Sequence, residues 1–231
     1  MVNQFRRGQV ERALWAYFSG RFGAGEAPPT LFRTRLKRLL EIDRVEKRIY
    51  ASEVRHARYA FTDSAPQGQG SDLSYSAFNT FCLAVAYDLL DVGLPQKDVV
   101  FFMRHIRGLL QQQFDWMNES PVEPRMKVLH KDRPRCAAFE EGGTVWADCR
   151  VFMVVQKTML DELKPADLSA ELKKGSLIFQ PKFFHGAKAL GEEFRLMNFD
   201  YRKALVVELA HTARMIMDEL ATVPAIRRGR H

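Results

Sequence analysis

The chain is 231 residues long, 46% hydrophobic and 27% charged. That balance suits one sizeable core, or two of roughly 100 residues each, and it excludes intrinsic disorder, collagen-like repetition and a disulfide-framed miniature fold. The net charge of +7 is unevenly placed: residues 1–60 hold thirteen Lys or Arg against six Asp or Glu, while the other 171 residues hold twenty-two of each sign.

In chain order, residues 5–19 read as a short helix, because Val10, Leu14 and Phe18 recur at four-residue spacing. Gly20, Gly23, Gly25 and Pro28-Pro29 mark a connection. Thr30 is placed to cap a second helix over 31–44, with Phe32, Leu36, Leu39 and Leu40 on one face. Arg33, Arg35, Lys37, Arg38 and Arg44 fall largely outside that stripe. A basic helix packed behind a turn has the order of a helix-turn-helix.

Residues 45–58 carry mixed charges. Tyr59 to Thr62, a turn-rich stretch over 63–72 and Leu73 to Ser76 predict strand, tip and strand, a hairpin able to form a wing; the alternative is a surface loop. Ser76 is a good N-cap for a helix over 77–92 that Gly93 stops, and Pro95 opens another, to about Gln113. The Phe and Met residues of this pair read as core. Residues 118–124 look like a linker. Strands are predicted over 126–130, 136–140 and 144–156, with Glu141-Gly142-Gly143 as a hairpin turn. A helix over 160–174, a strand over 176–181 and a long helix over 202–221 complete the reading. The fold class is therefore α+β. A mainly helical, winged helix-turn-helix-like domain over 1–117 precedes a smaller α+β domain over 125–231 that ends in a long helix.

Cys82, Cys136 and Cys149 form a sparse, odd set, expected as reduced thiols in a cytoplasmic protein. The first residues lack the apolar stretch of a secretory signal, and no run approaches about eighteen apolar residues, so neither export nor a bilayer span is expected.

The chemistry-bearing motifs are loose. Glu53-x-x-His56 and Glu208-x-x-His211 each place two metal-ligating types on one helix face. Arg55 and Arg58 flank the first copy, however, and the β-like stretch does not suit a helical di-metal bundle. His130, Cys136 and Cys149 have zinc-compatible chemistry but no C-x-x-C pairing. The glycine-rich Gln67-Gly68-Gln69-Gly70-Ser71 has no lysine to hold a phosphate. Neither an enzyme, a metal site nor a cofactor is expected.

The order of helix, basic helix, turn-rich segment, Tyr75-Ser76, then two helices joined by Gly93-Leu94-Pro95 resembles the DNA-binding domain of MerR-like regulators. The resemblance covers about residues 5–112. The connection over 20–29 is longer than that family's, the arginine before the wing tyrosine is replaced by Leu73-Ser74, and proline and β-like sequence stand where its dimerising coiled coil would begin. The resemblance implies a winged helix-turn-helix, a homodimer and a transcription regulator reading a palindromic duplex, with room for a small-molecule effector.

The residues themselves require less. A basic helix presents Arg33, Arg35, Lys37 and Arg38 to a groove of double-stranded DNA, and Arg6, Arg7 and Arg12 grip the backbone. Thr30, Thr34 and Arg58 complete the candidate contact set. Two other readings stay open: an RNA-binding accessory protein, for which Trp146, Phe152 and Phe179 would have to stack bases from an exposed sheet, and a protein-interaction module whose basic helix is merely solvated.

Overall fold

The computed structural model describes residues 4–20, 27–46, 57–63, 74–119, 125–127, 137–141, 144–156, 181–196 and 204–223. The chain is mixed helix and small antiparallel sheets, in two compact units.

The first unit comprises residues 1–48, 52–110 and 212–231. It opens with strand β1 (Phe5–Arg6) and helix α1 (Arg7–Ser19). The Gln9 side-chain carbonyl accepts the Arg6 amide at 3.0 Å, satisfying a donor at the helix start. Val10, Ala13, Leu14 and Tyr17 turn inward. Helix α2 (Thr30–Val45) buries Phe32, Leu36, Leu39 and Asp43. It starts one residue earlier than the sequence suggests, because the Pro29 carbonyl already accepts the Arg33 amide at 3.1 Å. Thr30 is thus the first helical residue and not a cap.

The expected hairpin is not formed as read. Tyr59–Thr62 is not a strand, since its Ala60 and Phe61 amides are taken by the Asp43 carboxylate and are lost to any ladder. The other arm does extend as β2 (Ser74–Tyr75), but it pairs antiparallel with β1, Phe5 opposite Tyr75 and Arg6 opposite Ser74. Of the expected tip over 63–72, only Asp63 is among the described residues.

Helix α3 (Ala77–Asp91) is capped as expected, with the Ser76 hydroxyl accepting the Asn79 amide at 3.1 Å. It is buried on nearly every side from Phe78 to Leu89, as befits a helix apolar all round. Gly93, at φ 89°, ends this segment in a conformation that favours glycine. Helix α4 (Gln96–Glu119) follows Pro95. It runs past its expected end because buried Phe114 and Met117 continue the stripe of Met103, Ile106 and Leu110.

The second unit comprises residues 49–51 and 111–211. One sheet has the order β3 (Arg125–Lys127), β5 (Thr144–Asp148), β4 (Ala137–Glu141). Glu141, expected as part of the hairpin turn, is instead the last residue of β4, opposite Thr144; Gly142 and Gly143 lie outside the described residues. The long strand predicted over 144–156 is two strands in two sheets. The break comes where the Asp148 carboxylate accepts the Arg150 amide two residues on, at 3.2 Å, the geometry of an Asx turn.

Beyond the break, β6 (Val151–Gln156) is central between β7 (Lys182–His185) and β8 (Ala204–Glu208), antiparallel to both. Helix α5 (Ala187–Leu196) was not expected, and it buries no residue. The expected helix over 160–174 and most of the strand over 176–181 lie outside the described residues.

The predicted helix over 202–221 is corrected. Its first part is β8, favoured by Val206-Val207, and α6 (Leu209–Thr222) starts only after Glu208. From Thr212 this helix belongs to the first unit, where the Tyr17 and Thr212 hydroxyls bond at 2.9 Å and Gln9 donates to the Val223 carbonyl at 3.3 Å. The domain read as 125–231 therefore loses its final helix to the N-terminal unit. Cysteine chemistry also differs from the uniform reduced set expected: Cys82 is a free buried thiol, whereas Cys149 is disulfide-bonded. No helix among the described residues is long and apolar enough to cross a membrane.

Candidate nucleic-acid interface

The buried stripe of α2 fixes what the helix shows to solvent. With Phe32, Leu36 and Leu39 locked inward, Arg33, Arg35, Lys37, Arg38 and Arg44 are all exposed. Lys37 lies 3.7 Å from Glu41, one turn on. At that distance, and with both groups in solvent, the pair contributes at most a few tenths of a kcal/mol, about 0.3–0.5. The guanidinium groups of Arg33, Arg35, Arg38 and Arg44 enter no ion pair with another described residue. Their charge is available to an outside anion.

The remaining candidates divide. Arg6, on β1, and Arg12, on α1, are exposed. Arg7 is engaged by Glu11 at 2.8 Å, which neutralises much of its field. Thr30 is exposed, whereas Thr34 turns its hydroxyl back to the Thr30 carbonyl at 2.8 Å. Arg58 is exposed, with its guanidinium 5.5 Å from the centre of the Tyr59 ring.

Behind this face lies a polar core that the sequence reading missed. Asp43, on the inner side of α2, accepts both Ala60 and Phe61 amides and the Arg104 Nε at 2.8 Å. Arg104 also donates to the Asp43 and Glu46 carbonyls, so it grips the C-terminal end of α2. Burial pushes the Asp43 carboxyl up, and the amides and Arg104 pull against that shift. One turn along α4, Arg107 donates to the Ala60 carbonyl, to Asp63 and to Asn79 Oδ1 at 2.7 Å, and stacks over Phe78. Asn79 in turn donates to Asp63 at 3.0 Å.

The result is a clasp between Asp63, where the described chain enters 64–73, and the first turn of α3, just after it returns. The available signal was phase: Asp43 falls on the apolar stripe of α2, and Arg104 and Arg107 fall among Met103, Ile106 and Leu110. Charges of opposite sign at core positions on two helices imply a buried pair.

The α2 face itself rests on aromatics. Phe32 lies among Trp15, Phe18 and Tyr87, at ring separations of 4.8 to 6.2 Å, and the Tyr87 hydroxyl donates to the Phe32 carbonyl at 2.7 Å. Two buried polar atoms of the first unit, Trp15 Nε1 and the Tyr75 hydroxyl, have no hydrogen-bond partner among the described residues. Burial pushes the Tyr75 hydroxyl up to about 12.

Of the metal motifs, Glu208-x-x-His211 has a local explanation. The Glu208 carboxylate accepts the Ala210 and His211 amides at 3.0 and 2.8 Å, capping α6. Glu53, His56, His130 and Cys136 lie outside the described residues. Among the described residues no three His, Cys, Asp or Glu side chains gather to hold a metal. Phe152, one of the candidate base-stacking aromatics, is buried; the side chains of Trp146 and Phe179 lie outside the described residues. No protein-family model matches the chain, and no curated protein is significantly similar to it.

Proposed function

We propose that the chain is a sequence-specific regulator that binds double-stranded DNA with α2 in the major groove. The observation carrying this reading is the helix face itself: five cations in solvent, with a single long contact, to Glu41, among the described residues, held on an aromatic and polar core. Guanidinium and ammonium groups so placed release counterions from phosphates, and arginine is also the commonest reader of guanine. The Asp63–Asn79–Arg107 clasp supports the MerR-like reading, because it draws together the two flanks of segment 64–73, although Tyr59–Thr62 supplies no wing strand. The second unit then serves dimerisation or effector sensing.

Binding of the full chain to duplex DNA, followed by fluorescence anisotropy across a salt series, tests this. Affinity should fall steeply with salt, and Arg35→Ala and Arg38→Ala should each reduce the salt slope by about one. Indifference to duplex at ~50 mM salt, where such contacts are strongest, would refute the reading. Stronger competition by RNA than by duplex of equal length would transfer the same face to an RNA-binding role.

A further inference from the structure

The exposed side of α2 is not uniformly basic, and the exception is informative. Phe32, Leu36, Leu39 and Asp43 mark its buried side. At about 100° per residue, Thr34, Glu41 and Val45 share the line directly opposite. Glu41 is 53% exposed in its side chain, and its neighbours one turn away are Lys37, Arg38 and Arg44, all exposed. A lone carboxylate thus occupies the outermost ridge, ringed by three cations.

We propose, on the basis of the duplex-binding reading above, that Glu41 is a specificity-determining residue that accepts a hydrogen bond from the N4 amino group of a cytosine. When α2 meets a polyanion, the ridge approaches first, and a carboxylate there repels phosphate. Its contribution turns favourable only against a hydrogen-bond donor on the base edges, and cytosine supplies one in the major groove. Adenine also offers an amino group, but it sets the N7 acceptor beside it, whose lone pair faces the carboxylate unfavourably. Lys37, Arg38 and Arg44 meanwhile engage phosphate or guanine around that contact. Glu41 therefore weakens attachment to arbitrary sequence and strengthens it at the cognate site.

The test is selection of preferred sites from a random-sequence duplex pool by the full chain, then titration of the selected and a scrambled duplex with wild type, Glu41→Ala and Glu41→Gln. Glu41 is exposed, so the variants should keep the wild-type circular dichroism. The expected result is a required cytosine in the selected sites, tighter binding of Glu41→Ala to scrambled duplex, and a cognate-to-scrambled ratio reduced about tenfold, the scale of one base contact. Both affinities rising by the same factor, with the cytosine still required, would overturn the proposal and leave Glu41 a mere charge offset. Failure of the wild type to bind any duplex would overturn the docking reading itself, an outcome visible before any variant is made.

Discussion

The arginines of α2 and those of α4 are the same side chain put to opposite uses within one unit. Arg33, Arg35 and Arg38 stand in water without ion pairs among the described residues; Arg104 and Arg107 are buried and hydrogen-bonded to Asp43, Asp63, Asn79 and backbone carbonyls. Burial explains the difference. A guanidinium removed from water is tolerated only where a carboxylate and several acceptors surround it, so it is committed to the fold. One left in solvent stabilises the fold little and stays free to engage an anion.

The contrast breaks most sharply at Asp43. Replacing it with alanine strands Arg104 and orphans the Ala60 and Phe61 amides, so unfolding free energy should drop by about 3–5 kcal/mol, whereas Arg38→Ala should stay within about 0.5 kcal/mol of wild type. Urea denaturation of the two variants decides it. Equal losses would mean that the exposed and buried arginines are not different in kind.

A smaller effect sharpens the same point from the side of unmet polarity. Tyr75 is fully buried with no partner for its hydroxyl among the described residues, unlike Tyr87, whose hydroxyl is satisfied. Tyr75→Phe should therefore leave stability unchanged or raise it by about 1 kcal/mol, while Tyr87→Phe should lower it by a similar amount, about 1 kcal/mol. A large loss at Tyr75 would show that its hydroxyl has a partner after all.

Arg150 lies between the two extremes, with a side chain 22% exposed and a two-pronged contact to Asp148 at 2.6 and 2.7 Å. Burial alone would raise the Asp148 carboxyl, but hydrogen bonds from Arg150 and from the Ala187 amide hold it below its usual 3.8. The native state thus binds this proton less readily than the unfolded chain. The associated stability is complete above the ordinary carboxyl range and disappears as pH falls through the depressed native value. Stability curves of wild type and Asp148→Asn should differ at neutral pH and converge in acid; parallel curves would show that the pair contributes nothing to pH dependence.

Helices whose periodicity, caps and stops agree were legible from sequence alone. The Ser76 cap, the Gly93 stop and the apolar stripes of α1, α3 and α4 all lie in local sequence, where a hydroxyl or a glycine acts within one turn. Long-range competition was not legible. Tyr59–Thr62 has strand-like residues, yet Asp43, on another helix, claims its amides. Ala204 to Glu208 continues an apparent helical stripe, yet Val206 and Val207 join β6, and Glu208 becomes a cap. The cations of the candidate interface were legible because charge can be counted; the core beneath them was not, because a buried pair is recognised only once both helices are phased.

The return of α6 to the first unit also bears on synthesis. Tyr17 meets Thr212, and Ala213, Ile216 and Leu220 are buried near the opposite end of the chain from α1. The unit that carries the basic helix is therefore assembled from segments far apart in the sequence. It is finished only once α6 has left the ribosome, and a fragment ending near residue 117 emerges with part of its interior still open to water.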